Sequence, residues 1–128
     1  MTETIDLDDL LAAATAATGT RPAIRDVGIL EAALARPMAS AYGAEIYTDL
    51  HAKAGALLHS LVTGHALVDG NKRLGWAACR LFYRMNGQDL RMPADAWYEL
   101  VVSIADGSLR DVSEIAARLT PFVATLTA

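Results

Sequence analysis

The sequence predicts an all-α fold, a compact bundle of about six helices around a central buried helix. Apolar residues recur at spacings of three and four along most of the chain, and Pro or Gly stands where the periodic segments end. Of the 128 residues, 53% are hydrophobic and 20% charged, with only 9 Gly and 4 Pro. This composition is typical of a globular chain. We therefore expect a single domain over residues 1–128, built on one core.

The first two helices are assigned from their apolar stripes and their end signals. One runs from Leu7 to Thr18 and ends at Gly19, and the next runs from Asp26 to Arg36 with Pro37 as its stop. From Met38 to Thr48 the helical spacing lapses, and the Tyr, Ile and central Gly of this segment suit a short hairpin or an extended flap. An irregular linker fits the same pattern equally well.

Four more helices complete the predicted bundle. The third, Asp49–Gly64, delivers His65 at or just past its C-terminus. The fourth, Asn71–Met85, is apolar nearly all the way round apart from the neighbourhood of Arg80 and Arg84, and it ends at Asn86-Gly87, so we expect it to be the central helix. The last two helices are expected over residues 93–105 and 111–119.

Charge and cysteine content exclude several classes of protein. The net charge of -4 argues against a protein that mainly coats nucleic acid, so any basic site must be local. The single cysteine, Cys79, lies in an apolar run and is expected to be a buried small residue in a reducing compartment. The N-terminus is acidic where a signal peptide is basic, and no apolar run approaches the ~20 residues that span a bilayer. We expect a cytoplasmic protein that binds neither membrane nor nucleic acid directly.

The stretch His65-Ala-Leu-Val-Asp-Gly-Asn-Lys-Arg73 is the candidate site, because it places two cations where a helix begins. A helix N-terminus already carries positive partial charge, so Lys72 and Arg73 have the wrong sign for that position unless an anion binds there. Asn71 is expected to be the N-cap, with the following backbone N–H groups facing the loop beside both cations. This combination predicts a phosphate cradle suited to a nucleotide.

Two further residues of the stretch suggest chemistry at that phosphate. Asp69 would oppose an anion unless it held a divalent cation, and a carboxylate beside a phosphate site is a common ligand of Mg²⁺. His65 lies across the same loop and could act as the general base that takes a proton from an attacking hydroxyl.

Each residue also has a plain structural interpretation. Residues 69–71 could be a turn followed by a cap, His65 could cap the preceding helix, and both cations could be solvated. His51 and His59 show no metal-binding spacing with any acidic or Cys partner. The combination within nine residues favours a ligand site, because structural needs alone do not require it.

The same nine residues resemble the signature of the Fic/Doc superfamily, in its Doc (death on curing) branch, which reads H-x-F-x-D-[A/G]-N-K-R. Similarity extends from about Arg21 to Phe122, through the segments 25–37, 42–47, 53–60 and Asn86-Gly87. The departure is Leu67, which stands where the family has an aromatic residue. The positions that match the signature are His65, Asp69, Gly70, Asn71, Lys72 and Arg73.

The resemblance implies the toxin of a bacterial type II toxin–antitoxin pair, with a Fic-like helical fold. Doc-like toxins use ATP to phosphorylate a hydroxyl of elongation factor Tu and so arrest translation. By this likeness His65 is the base, Asp69 serves Mg²⁺ and phosphate placement, and residues 70–73 hold ATP, with Arg73 also catalytic. Residues 38–48 would be the flap that docks the target protein, and a cognate antitoxin would lay a segment into a groove near the site.

Two alternatives remain open on the sequence. A Fic-type nucleotidyl (AMP) transferase is favoured by Gly70, which is the Fic-like choice, and disfavoured by Lys72. A catalytically inactive nucleotide-binding relative is allowed by Leu67, while the presence of His65 argues against it.

Overall fold

The computed structural model describes residues 1–127 and confirms the predicted helical class. Within those residues there are six α-helices, and each begins and ends within one residue of its predicted position. The helices are α1 (Leu7–Thr18), α2 (Val27–Ala35), α3 (Leu50–Gly64), α4 (Asn71–Met85), α5 (Ala94–Ala105) and α6 (Val112–Leu119).

Aspartates cap four of these helices. The side chains of Asp6, Asp26, Asp49 and Asp111 each accept a hydrogen bond from a backbone N–H in the first turn of the helix that follows. A capping residue keeps an extended backbone, so the last three of these helices begin one residue later than the sequence pattern suggested.

The central helix is α3 and not α4 as the sequence suggested. Helix α3 packs against α2, α4, α5 and α6, whereas α4 packs mainly against α1, α3 and a short strand. Small residues permit this position, since a Cβ on Gly55 would lie only 3.1 Å from the Val112 carbonyl oxygen of α6. Helix α4 is amphipathic: it buries Phe82 and Tyr83, while Lys72 and Arg73 are exposed in addition to the predicted polar neighbourhood of Arg80 and Arg84, so the helix is less apolar than its sequence suggested.

The segment between α2 and α3 forms a hairpin, which decides between the two interpretations of its sequence. After a 3₁₀ turn at Arg36–Met38, strand β1 (Ser40–Ala41) pairs antiparallel with β2 (Ala44–Glu45). Tyr42 and Gly43 both take positive φ, 53° and 80°, as the favoured two-residue hairpin turn requires. The side chain of Tyr42 is fully exposed at the tip.

Two cationic side chains fasten the base of the hairpin to the bundle. Lys53 of α3 is only 2% exposed, and its Nζ donates to the Tyr47 carbonyl and lies 3.3 Å from the Glu45 carboxylate. Arg36 donates from Nε to the Tyr47 hydroxyl at 2.9 Å, and its Nη1 lies 2.8 Å from His59 Nδ1. Burial, and then the charge of Arg36, lower the pKa of His59 and favour its neutral form.

A second sheet was not predicted. Strand β3 (Gln88–Leu90) pairs antiparallel with β4 (Val123–Thr125), which follows a 3₁₀ turn at Thr120–Phe122. The sequence did not predict this sheet because strands of three residues are too short to show alternating polar and apolar residues, and because the pairing joins distant parts of the chain. Cys79 is fully buried as expected, and burial raises the pKa of its thiol to about 12. Among residues 1–127 no helix is long and apolar enough to cross a membrane.

We expect Lys53→Met to loosen the hairpin while the bundle stays folded. The substitution keeps the apolar stem but removes the donor to the Tyr47 carbonyl and the partner of Glu45. Loss of a buried hydrogen-bond donor costs about 1–3 kcal/mol, and amide exchange over residues 40–47 should quicken. Hydrogen exchange and urea denaturation measure both effects. Lys72→Met, a change of the same type at an exposed lysine away from the hairpin, is the control; equal exchange in the two variants would contradict the anchoring role.

Candidate functional site

The candidate site is built on the loop that joins α3 to α4. His65 ends α3 in the left-handed region, with φ 51° and ψ 43°, and its side chain is exposed. Histidine is one of the non-glycine residues enriched in this conformation. Within residues 1–127 the imidazole makes no hydrogen bond, and the residue is exposed. His65 therefore begins the loop as predicted, with its ring free to contact a substrate.

The backbone of the loop is held by the segment that precedes α2. Arg25 donates from Nε to the His65 carbonyl at 2.8 Å, and its Nη2 donates to the same oxygen. The Ala66 carbonyl accepts from the N–H groups of Arg25 and Asp26 at 2.8 and 3.0 Å. The left-handed backbone at His65 is thus fixed by a guanidinium from another element.

Arg25 was not singled out as a site residue from the sequence. Its contact spans forty positions, and no local pattern signals such a contact. Only the similarity of residues 25–37 to the family included it. Its role is to position the backbone that carries His65, since its side chain contacts the carbonyl and not the ring.

Leu67 anchors the loop in the core. Its side chain is 3% exposed, and its backbone forms an isolated antiparallel bridge with Ile24. The neighbouring N–H of Val68 donates to the Ala23 carbonyl at 3.0 Å. The leucine that replaces the family aromatic is therefore buried, and the loop is paired along its length.

Asn71 does not cap α4, which corrects the expectation from the sequence. The N-cap is Gly70, at φ 87°, and no side chain caps the helix. Asn71 is the first helical residue, and its side chain folds back over the loop. Its Oδ1 accepts from the Leu67 N–H at 3.0 Å, and its Nδ2 donates to the Leu67 carbonyl at 3.2 Å. The side-chain amide of Asn71 thus bridges the loop backbone at Leu67 and does not cap the helix.

The start of α4 is left open to a ligand as a result. Within residues 1–127 the N–H groups of Asn71, Lys72 and Arg73 find no acceptor, and the side chains of both cations are exposed. These three residues line a cavity of about 380 Å³. The cavity is lined by Val62, His65, Val68, Asp69, Gly70, Asn71, Lys72, Arg73 and Ala105. The structure thus brings all six predicted residues to one cavity, with the electrostatics of an anion site.

Asp69 is the exposed carboxylate of the cavity. Its Oδ1 accepts from the Gly70 N–H at 2.8 Å, and its Oδ2 lies 3.9 Å from Arg73 Nη2, with 93% of the side chain exposed. In the described part of the chain no group of three His, Cys, Asp or Glu could hold a metal ion. A single carboxylate still fits Mg²⁺, which binds through one or two carboxylates and takes its other ligands from phosphates and water.

Gly70 makes room for Arg73. A Cβ at this position would lie 3.3 Å from Arg73 Nη2, and the positive φ strains any other residue. The guanidinium can therefore lie against Gly70, and both residues line the cavity.

Fold and site together define a small helical protein in which an exposed histidine and two exposed cations line one cavity at a helix start. Residues 4–83 match the model of the Fic/DOC family. The chain is also 44% identical over 126 residues to a curated protein of Mycolicibacterium smegmatis named Toxin Doc, a match that covers 97% of this chain and 96% of that protein. The chain belongs to the Fic/DOC family.

We expect Asn71→Ala to free the loop. The change removes both hydrogen bonds to Leu67 and leaves its N–H and carbonyl without those partners, at a cost of about 1–3 kcal/mol. Amide exchange over residues 66–70 should rise. Asn86→Ala is a matched control, because Asn86 closes the distant N-terminus in the same way through Glu3. Should Asn86→Ala quicken exchange in the loop as much as Asn71→Ala, the local clamp would be disproved.

Proposed function

We propose that this chain is the toxin of a bacterial type II toxin–antitoxin pair, a Doc-like kinase. In this proposal it transfers the γ-phosphate of ATP to a hydroxyl of elongation factor Tu and so arrests translation. The observation that carries the proposal is the start of α4, where Lys72, Arg73 and His65 line one cavity and, within residues 1–127, the first three N–H groups of the helix have no acceptor. Membership of the family and the similarity to a protein named as a Doc toxin support it.

His65 would act as the general base. The hydroxyl oxygen of the target attacks the γ-phosphorus, the bond from that phosphorus to the bridging oxygen of ADP breaks, and the hydroxyl proton passes to the imidazole. An exposed ring on a fixed backbone suits this role, because a base must meet the hydroxyl at a defined distance.

The start of α4 would hold the phosphates of ATP. Its free N–H groups and Lys72 would bind the chain of phosphates, and Arg73 would stabilise charge on the transferred group. Asp69 would hold Mg²⁺, which when bound neutralises phosphate charge. If these residues were buried and paired with one another, a phosphate could not reach them. Here the side chains of Lys72 and Arg73 are exposed.

The hairpin is suited to docking the target protein. Tyr42 and Ile46 expose apolar surface, and each two-residue strand has an unpaired edge that could accept an extended segment. Anchoring through Lys53 and Arg36 limits the motion of this edge relative to α3. The cognate antitoxin is proposed as the other partner, and it would block the site with a segment laid nearby. We place the complex in the cytoplasm.

A Fic-type AMP transferase is the second candidate. Gly70 favours it, because glycine is the Fic-like residue at this position, while Lys72 favours the kinase. An inactive nucleotide-binding relative is less well supported, since His65 is exposed and free of hydrogen bonds within residues 1–127.

We expect His65→Ala to abolish transfer and leave the fold intact. General-base loss typically costs ~10²–10⁴ in rate, and an exposed loop side chain adds little to the core. Mass analysis of translation factors incubated with ATP and Mg²⁺ measures the transfer, and growth arrest on expression in a bacterial host measures the toxicity. Thr63→Ala, an exposed truncation on the last turn of α3, is the control. Activity of His65→Ala within a few-fold of wild type would remove His65 from the mechanism.

Labelled ATP separates the two chemistries. Lys72 fills the space in which the Fic glycine lets a diphosphate approach the helix start, so the terminal phosphoryl group should be presented to the hydroxyl. We expect γ-label to appear on the target and α-label to stay in solution. Lys72→Gly should lose γ-transfer and gain weak nucleotidyl transfer. Transfer of α-label by the wild-type protein would instead establish the Fic-type reaction.

A further inference from the structure

Three arginines surround one carboxylate beside the C-terminal half of α4. Asp89 of β3 is 5% exposed, and the nearest guanidinium nitrogens of Arg91, Arg84 and Arg80 lie 2.6, 3.5 and 3.9 Å from its oxygens. We call Arg80, Arg84 and Arg91 the arginine cluster. It carries two positive charges more than Asp89 neutralises, in a chain whose net charge is -4.

Arg91 alone makes a hydrogen bond to Asp89 within residues 1–127, while Arg80 and Arg84 contact the other carboxylate oxygen through charge only. Arg91 donates a hydrogen bond to Oδ2, and this bond, ahead of the nearby charges, lowers the pKa of the carboxyl and keeps it ionised. Within residues 1–127 Arg80 and Arg84 donate no hydrogen bond, and Arg80 Nε is buried without a partner. Among the same residues, Asp89 Oδ1 is likewise buried without a hydrogen bond, so the cluster is held together mainly by charge. The side chains of Arg80 and Arg84 are 38% and 53% exposed, which leaves guanidinium donors within reach of a further anion.

Aromatic surface lies beside these charges. Trp76 of α4 and Trp97 of α5 pack with their ring centroids 4.8 Å apart, and Arg80 Cζ lies 5.5 Å from the Trp76 ring. A shallow depression here is lined by Trp76, Arg80, Leu90, Arg91, Met92 and Pro93. Tryptophan and arginine are among the residues enriched at the positions that contribute most to binding in protein interfaces.

We propose that the arginine cluster is a docking site for an acidic segment of another protein. Its carboxylates would pair with Arg80 and Arg84, which lie one helical turn apart, and an apolar side chain would fill the depression beside Trp76. A nucleic acid is a poorer fit, because the negative net charge of the protein repels a long polyanion and two excess positive charges offset little of that repulsion.

This surface is separate from the proposed phosphate site. The nearest cation of that site is Arg73, which precedes Arg80 by seven residues, or about 10 Å along α4. The depression and the cavity share no lining residue, so the docking proposal holds whatever reaction the cavity catalyses.

The test uses a fluorescein-labelled peptide of repeated Glu-Glu-Leu, with a Gln-Gln-Leu peptide as its neutral counterpart. Fluorescence anisotropy should show binding of the acidic peptide alone, weaker at high salt. Arg80→Gln combined with Arg84→Gln should weaken binding about tenfold. The control combines Arg110→Gln with Arg118→Gln, which makes the same charge change at exposed positions elsewhere and should change affinity less than about twofold.

Asp89→Asn tests the site in the opposite direction. Removing the competing carboxylate should tighten peptide binding, an effect that general destabilisation does not produce. Thermal melts show which variants are folded, and Arg84→Gln alone, at a half-exposed residue, replaces the double variant if that does not fold. The proposal is overturned if the wild type does not bind the acidic peptide, or if both double variants lose binding equally. It is also overturned if folded Asp89→Asn binds the peptide more weakly than the wild type does, or if oligothymidylate binds the cluster more tightly than the peptide.

Discussion

The candidate site depends on how the backbone of the α3–α4 loop is restrained. A loop that carries a left-handed residue and several polar groups would sample many conformations if only its ends were fixed. Here the segment before α2 pairs with residues 66–68, Arg25 holds the His65 carbonyl, and Asn71 closes the turn from the other side. The entropy of the loop is lost on folding, so a ligand need not order it on binding.

The second constraint is electrostatic. Positive side chains at a helix N-terminus repel its partial charge, and here the repulsion is relieved only in part by Asp69, whose oxygen lies 3.9 Å from Arg73. Exposure keeps this cost small because water screens the charges. The same exposure leaves donors and cations available, so the arrangement becomes favourable once several negative charges arrive together.

Helix α3 connects the parts of the molecule that the proposed reaction needs. Its N-terminal half carries Lys53, which holds the hairpin, and its last residue precedes His65. Because this helix is buried among four others, the hairpin and the loop are fixed to one rigid element. In the proposed reaction, packing of α3 in the core would therefore set the distance between a target docked at the hairpin and His65.

The sequence by itself determined the six helices, the burial of Cys79 and the location of the candidate site in one nine-residue stretch. Periodicity, caps and local spacing are properties of neighbouring residues, so they can be read from the sequence. It also allowed the hairpin without deciding for it. Only the tertiary structure decided that α3 is central, that Asn71 closes the loop, and that Arg25 fixes His65. Each of these depends on contacts between residues or elements that local pattern does not encode, such as the small residues that let α6 approach α3. The β3–β4 pairing also depends on the tertiary structure, because two such short strands pair only when the fold brings them together.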